Sequence, residues 1–355
     1  MNDKSIVLTG GGTAGHVTPN IALLPSLREA GFDINYIGSY KGIEKQLMEA
    51  EGIKYYGISS GKLRRYMSLQ NLTDPARIFH GIGQARRLLK KLKPTLVFSK
   101  GGFVSVPVVI AAEKLNIPVI IHESDMTPGL ANKIAMRFAS KICCNFPETI
   151  KYLPEGKAVL SGSPIRQELF TGSREKGFKF CKFTEDLPVI LVVGGSTGAL
   201  KLNEAIKEIL PVLVDNFNVV HLCGKGKADE SLNSNKNYIQ FEYVNEEMKD
   251  LLALSDIVIS RAGANAICEL LALNKPNILI PLSANASRGD QILNAKSFKE
   301  HNYSMVLDED TMTSKELLST INELYANRNL YSEAMSKSPQ SNAIEIISNL
   351  IKEIC

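Results

Sequence analysis

Several stretches of this chain carry residue types that can handle a charged or hydroxylated ligand, each close behind a short apolar run. The first is Gly10-Gly11-Gly12-Thr13-Ala14-Gly15-His16, after Ile6-Val7-Leu8. Gly10, Gly12 and Gly15 fit G-x-G-x-x-G, where glycine permits a tight strand-to-helix turn and backbone N–H groups can face a phosphate. A dinucleotide site also wants an acid about twenty residues on, at the end of the second strand, to hold ribose hydroxyls. That run ends Tyr36-Ile37-Gly38-Ser39, without one. This missing acid counts against a nicotinamide-dependent oxidoreductase. His16 follows the turn directly, at the sheet edge where open α/β folds bind ligands. Its imidazole could take a proton from a hydroxyl, and the same spacing suits a histidine that caps the helix or binds substrate.

A second glycine turn, Gly194-Gly195-Ser196-Thr197-Gly198, follows Val189 to Val193. It lacks the lysine of a P-loop but sets hydroxyls and amides beside a helix dipole, where a diphosphate fits. A turn that needs glycine for sterics alone explains the same residues. Further on, Ser260-Arg261-Ala262-Gly263-Ala264-Asn265-Ala266-Ile267-Cys268-Glu269 reads as strand end, small-residue turn and helix start. Small residues let a ring approach the backbone. Glu269 can accept both hydroxyls of a ribose, or simply sit well at a helix dipole. The loop from Pro281 to Gln291 is rich in side chains that hydrogen-bond sugar hydroxyls.

Positioning these groups requires alternating strands and helices. Short β-branched runs (Ile6 to Leu8, Ile34 to Ile37, Leu96 to Phe98, Val119 to Ile121, Ile142 to Cys144) alternate with segments of helical period, which predicts a parallel sheet. The runs are continuously apolar, as when helices cover both faces. The pattern restarts at Pro188, so the chain reads as two doubly wound α/β domains in tandem, with a hinge near Ser161 to Arg166. Thr171 to Asp186 reads as an exposed, irregular linker. A final helix from about Asn342 to Ile354 carries an apolar stripe and should dock, with the first domain as its expected place. The expected divisions are 1–163, 164–340 and 341–355.

Length and composition set the outer bounds. The 355 residues are enough for two cored domains, and 44% hydrophobic with 22% charged residues excludes a disordered chain. A formal charge of +4 is too small to argue for nucleic acid. Six cysteines without C-x-x-C or zinc-finger spacing read as reduced, mostly buried thiols. The opening residues leave no room for a signal peptide, and no apolar run approaches the roughly 18 residues of a spanning helix. Membrane contact is therefore expected to be peripheral.

Taken jointly, Gly10 to Val17, His122-Glu123-Ser124-Asp125 with Gly129-Leu130-Ala131-Asn132-Lys133, Gly194-Gly195-Ser196, Arg261 to Glu269 and Asp290-Gln291 resemble the MurG family. These are bacterial N-acetylglucosaminyltransferases of peptidoglycan synthesis. The resemblance implies a GT-B type glycosyltransferase of two Rossmann-like halves facing across a cleft, the first for the acceptor and the second for the nucleotide sugar. It implies transfer of N-acetylglucosamine, with inversion, from UDP-GlcNAc to the muramoyl 4-hydroxyl of undecaprenyl-diphospho-muramoyl-pentapeptide. The nearest alternative is another two-domain UDP-sugar enzyme, such as a UDP-GlcNAc 2-epimerase. A scaffold binding the sugar without turnover is a third.

Residue by residue, the resemblance implies His16 as base, with Glu123 and Asn132 beside it and Thr13, Ala14 and Gly15 lining the acceptor face. Arg166 and Ser196 would contact the donor. Val244 and Ala264, Asn265, Ala266, Ile267, Cys268 and Glu269 would enclose uridine and ribose, and Gln291 would hold the sugar hydroxyls. Neither a metal nor a cofactor is implied. Many relatives carry Gln-Asn where this chain has Ser124-Asp125, and a carboxylate there repels an acceptor diphosphate unless it is protonated or bridged by a cation. No binding role is assigned to Asp125. A lipid-linked acceptor implies the cytoplasmic face of the cell membrane and partners from cell-wall synthesis. A helix within Asn71 to Lys93, carrying Leu72, Phe79, Ile82, Arg86, Arg87, Lys90, Lys91 and Lys93, with Lys62, Arg64 and Arg65 before it, suits an anionic surface. It equally suits an ordinary amphipathic core helix with a solvated basic end.

Overall fold

A computed structural model describes residues 4–61, 70–195, 198–232, 234–284 and 289–355, without the side chains of 70–75 and 341. In chain order the first half runs β1 (Ser5–Thr9), α1 (Thr18–Glu29), β2 (Asp33–Ser39), α2 (Ile43–Ala50), β3 (Lys54–Ile58), α3 (Gln70–Leu92), β4 (Leu96–Ser99), α4 (Ser105–Glu113), β5 (Val119–Glu123), α5 (Leu130–Ala135), β6 (Lys141–Cys144) and β7 (Ala158–Leu160). The second half runs α6 (Arg174–Cys181), β8 (Val189–Val193), α7 (Leu200–Leu213), β9 (Asn218–Leu222), β10 (Tyr238–Phe241), α8 (Met248–Leu254), β11 (Ile257–Ser260), α9 (Ala264–Ala272), β12 (Asn277–Leu279), α10 (Asp290–Glu300), β13 (Ser304–Val306), α11 (Ser314–Ser336) and α12 (Ala343–Ile354). Two units result, Met1–Arg166 with Asn342–Cys355, and Gln167–Ser341.

In the first unit the strand order is β3-β2-β1-β4-β5-β6-β7, with every neighbouring pair parallel. Side chains alternate across such a sheet, and the sequence supplies apolar groups for both faces. Ile6, Leu8, Leu96, Phe98 and Ile120 join one core with Leu23, Leu24 and Leu27 of α1. Val7, Val97, Val119 and Ile121 join the other with Ala85 and Leu89 of α3 and Val108 and Val109 of α4. The C-terminal helix lies on the α1 face: Ile347, Leu350 and Ile351 are part of that core, and Ser26 Oγ lies 3.0 Å from Ser348 Oγ.

The second unit repeats the plan, β10-β9-β8-β11-β12-β13, again parallel throughout. Ile190, Val192, Ile257, Ile259 and Ile278 pack against Leu202, Ile206, Ile209 and Leu213 of α7 and Leu317, Ile321 and Leu324 of α11. In both sheets the order reverses beside the first strand, between β1 and β4 and between β8 and β11. Open α/β folds bind ligands outside the carboxyl ends of the strands at that point.

Two expectations need correcting. Thr171 to Asp186 is not an irregular linker: Arg174–Cys181 is helical, with Ser173 Oγ capping the Lys176 N–H and Lys182 ending the helix in the left-handed region. This charged segment folds because Gly177 lets α6 lie against α8, where a Cβ would come within 2.5 Å of the Asp250 carbonyl, and because the Ser173 N–H donates to Asp250 Oδ1. Pro164 to Arg166 belong to the first unit rather than the second. The residues just before it are tied to the first sheet by hydrogen bonds from Ser161 and Gly162 N–H to the Cys144 carbonyl and by His122 Nε2 at 2.8 Å from the Gly162 carbonyl.

Candidate active site

At the β1/β4 switch point two glycine turns meet back to back. Gly102, with φ +84°, has no room for a side chain: a Cβ would lie 2.2 Å from the Gly11 carbonyl oxygen. Beneath the first turn the buried Glu44 carboxylate accepts from Gly12 N–H at 3.3 Å and Ser39 N–H at 3.1 Å, and a Cβ on Gly11 would strike it. A short 3₁₀ turn, Ala14–His16, then leads into α1. Thr13 Oγ1 and His16 Nδ1 are 3.1 Å apart. Burial and then the Lys100 charge lower the His16 pKa to about 4, with a hydrogen bond to the Gly11 backbone and the Glu44 charge opposing. His16 is therefore neutral at physiological pH. Thr13 and Ala14 are exposed, and Gly15 is half-buried.

The next loop is organised by Glu123. Its Oε1 accepts from Asp125 N–H at 3.0 Å, and Oε2 accepts from Gly129 N–H at 3.0 Å and Asn132 Nδ2 at 2.9 Å. Burial raises its pKa, while Asn132 and these amides pull the other way. With both oxygens engaged, Glu123 folds residues 124–129 around itself. Asn132 also donates to the His122 carbonyl at 3.2 Å. Its Oδ1 is buried without a hydrogen-bond partner, under the Gly101 turn, where a Cβ would lie 3.2 Å away. Such a group is satisfied when a donor arrives.

Sequence reasoning missed two residues of this cluster. Lys100, 1% exposed, directly follows β4, with Nζ 2.6 Å from both His122 Nδ1 and Ser124 Oγ. Its signal was legible, a Lys-Gly-Gly directly after an apolar strand. Glu44 left no such trace, because its partners lie on two other segments.

In the second unit the β8 turn uses Gly195 (φ +85°) and Gly198 (φ +69°), and a Cβ on Gly198 would lie 2.1 Å from the Cys223 carbonyl. Ser196 lies outside the described residues. After β11, Gly263 precedes α9 with Ala264 at its first position. Asn265, Ala266 and Glu269 are half-buried, whereas Ala264, Ile267 and Cys268 turn their side chains inward and can offer a ligand little beyond backbone. Val244, just after β10, is likewise buried.

Gln291 Oε1 accepts from Leu282 N–H at 3.0 Å and closes the loop before α10. Asn294 Nδ2 donates to the Ala262 carbonyl at 3.2 Å, tying α10 to the β11 turn. Arg261 donates to the Ile280 carbonyl at 3.0 Å and pairs with Glu309, whose other oxygen accepts from Ser283 N–H at 3.2 Å. Ser283 Oγ donates to Asp310, which also pairs with Lys201 of α7 at 3.0 Å. The turns after β8, β11 and β12 are thus braced on one sheet edge.

Of the expected residues, Thr13 and His16 are in contact, as are Glu123 and Asn132, while Gln291 and the α9 residues share the edge of the second sheet. Arg166 is half-buried at the end of the first unit. Among the described residues no group of three or more His, Cys, Asp and Glu could hold a metal, and no helix is long and apolar enough to cross a membrane.

Residues 6–144 match the glycosyltransferase family 28 N-terminal domain, and 189–351 the family 28 C-terminal domain. The chain is 70% identical over 350 residues, 99% of both proteins, to a Lachnospira eligens protein named UDP-N-acetylglucosamine--N-acetylmuramyl-(pentapeptide) pyrophosphoryl-undecaprenol N-acetylglucosamine transferase. A Clostridium botulinum protein of the same name is 54% identical over 350 residues, with 99% of each covered. Among solved structures, MurG of Acinetobacter baumannii superposes with a TM-score of 0.77 at 26% identity over 99% of each chain. A UDP-GlcNAc 2-epimerase of Neisseria meningitidis gives 0.71 at 15% identity, covering 99% of this chain and all of that one, which speaks to fold alone. With both family 28 domains matched in order and full-length relatives at this identity, the chain belongs to the MurG family of glycosyltransferases.

Proposed function

We propose that this enzyme transfers N-acetylglucosamine from UDP-GlcNAc to the muramoyl 4-hydroxyl of undecaprenyl-diphospho-muramoyl-pentapeptide, inverting the anomeric centre. The observation that carries the reading is the 70% identity along the whole chain to a protein named for that transfer. The geometry of the sites is consistent with it. An inverting displacement needs a base on the acceptor hydroxyl and charge stabilisation on the departing diphosphate. His16, neutral and beside a glycine turn, supplies a proton acceptor in the first unit. Thr13 orients its ring, and Asn132 Oδ1 offers an acceptor to a substrate N–H or O–H.

In the second unit the Gly194-Gly195 turn leads to the amino end of α7, a favourable place for the diphosphate of the donor. Glu269 then takes the ribose hydroxyls, and Gln291, already holding Leu282, presents its loop to the sugar. Glu123 acts by positioning, because three donors occupy its oxygens.

The acceptor's lipid places the enzyme on a membrane surface as a peripheral protein. Phe79 of α3 is 75% exposed, and Arg77, Arg86, Arg87, Lys90 and Lys91 of the same helix are exposed. An apolar anchor with basic neighbours suits anionic lipid. Lys62, Arg64 and Arg65 lie outside the described residues, as does the side chain of Leu72.

The deciding assay follows label from UDP-GlcNAc into a muramoyl-pentapeptide diphospholipid analogue, with and without acceptor. Labelled lipid and acceptor-dependent release of uridine diphosphate are expected. Donor consumption without acceptor would point instead to an epimerase or hydrolase, and tight donor binding without turnover to a scaffold.

A further inference from the structure

Lys100 has no part in the transfer set out above, yet it brings a positive charge, 1% exposed, to the carboxyl edge of the first sheet. A buried ammonium is tolerated only where its protons find partners. His122 Nε2 faces the Gly162 carbonyl at 2.8 Å, and a carbonyl only accepts, so Nε2 carries the ring proton. Nδ1 is then an acceptor, and Lys100 donates to it and to Ser124 Oγ, each at 2.6 Å. Burial and then this charge hold the His122 pKa well below its ordinary value.

The surroundings are acidic. Asp125 follows Ser124 directly, its N–H bound to Glu123, and Glu44 lies under the adjoining Gly11–Gly12 turn. Lys100 lies beside Gly10, just before that turn, where an added Cβ would come 3.3 Å from Lys100 Cβ. Carboxylates on one edge repel an anionic ligand unless a cation offsets them.

We propose that Lys100 is a positioning residue for the diphosphate of the acceptor: through Ser124 it holds the Ser124-Asp125 turn and offsets the Asp125 carboxylate, so that this edge receives an anion. The inference rests on the acceptor reading above and adds to it the residue that sets the charge of the acceptor end.

The test compares wild type, Lys100→Met, Asp125→Asn and the double variant on a muramoyl diphospholipid analogue and on its monophosphate counterpart. Lys100→Met should raise KM for the diphosphate acceptor about tenfold or more, leave KM for UDP-GlcNAc within about twofold, and erase the preference for diphosphate. Asp125→Asn should recover part of that loss, giving a non-additive cycle. Additive effects, or an unchanged preference with kcat reduced on both acceptors, would overturn the proposal. If Lys100→Met does not fold, as judged by loss of the first unit's transition in calorimetry, Ser124→Ala severs the hydrogen bond and leaves the charge. An unchanged acceptor KM in Ser124→Ala would then overturn it, and a raised one supports it. Absence of transfer by the wild type is failure of the acceptor reading, and is seen separately in the same assay.

Discussion

At the scale of single residues the proposed base is His16, and its environment sets the pH dependence expected of it. Only the neutral ring can accept a proton, and burial with the Lys100 charge brings its pKa to about 4. The acid limb of kcat/KM should therefore lie near pH 4 rather than near 6.5, and Lys100→Met should move it upward because an opposing cation is gone. A pH–rate profile of the two proteins checks both statements. His16→Ala should cut kcat by about 10²-fold or more while UDP-GlcNAc binds unchanged. Turnover at the wild-type rate would remove His16 as base. Glu269→Ala should weaken uridine diphosphate about tenfold or more by calorimetry, since the carboxylate proposed to accept both ribose hydroxyls is lost. His16 and Glu269 were visible in the sequence as residue types just past glycine turns. Glu44 and the Lys100–His122 contact were not, because their partners come from separate strands.

At the scale of elements, glycine turns at the two switch points decide what a ligand can approach. Gly102 and Gly198 each combine positive φ with a backbone carbonyl about 2 Å from where a Cβ would sit. Gly198→Ala should displace the start of α7 and weaken donor binding, whereas Gly52→Ala, with φ +71° but open space, should cost only backbone strain. Comparing UDP-GlcNAc affinity and melting temperature of the two variants separates close approach from strain. The strands were legible as apolar runs, and the glycine turns from their place after those runs. The α6 helix was not: half of its residues are charged, and it is fixed by Gly177 and Asp250 against α8 rather than by its own periodicity. The partners of the polar residues in the 281–291 loop were hidden in the same way, since Glu309 and Asp310 follow β13.

For the whole molecule, each unit has its own sheet and core, so stability can be lost in one without the other. Ile351→Ala should remove a fully buried side chain from the core under α1, costing about 2–5 kcal/mol, and lower the first unit's transition in calorimetry while leaving the second unit's in place. Acid should destabilise both units. His122 and His221 are buried and neutral, the latter with its pKa lowered to about 4 by burial and the Lys207 charge, whereas in the unfolded chain both titrate near 6.5. The unfolded chain binds more protons between those values. Stability is thus full above about pH 6.5 and falls toward pH 4, by up to about 1.4 kcal/mol per pH unit per histidine. Equal urea midpoints at pH 7.5 and 5 would contradict this.

By itself the sequence determined the two parallel sheets, the tandem plan and the glycine turns, because strand periodicity and turn chemistry are local properties of consecutive residues. Only the tertiary structure decided that the last helix belongs to the first unit's core, that residues 164–166 stay with that unit, and that a buried lysine and two buried carboxylates gather at the carboxyl edge of the first sheet. Those outcomes depend on contacts between residues far apart in the chain, and no spacing along it encodes them.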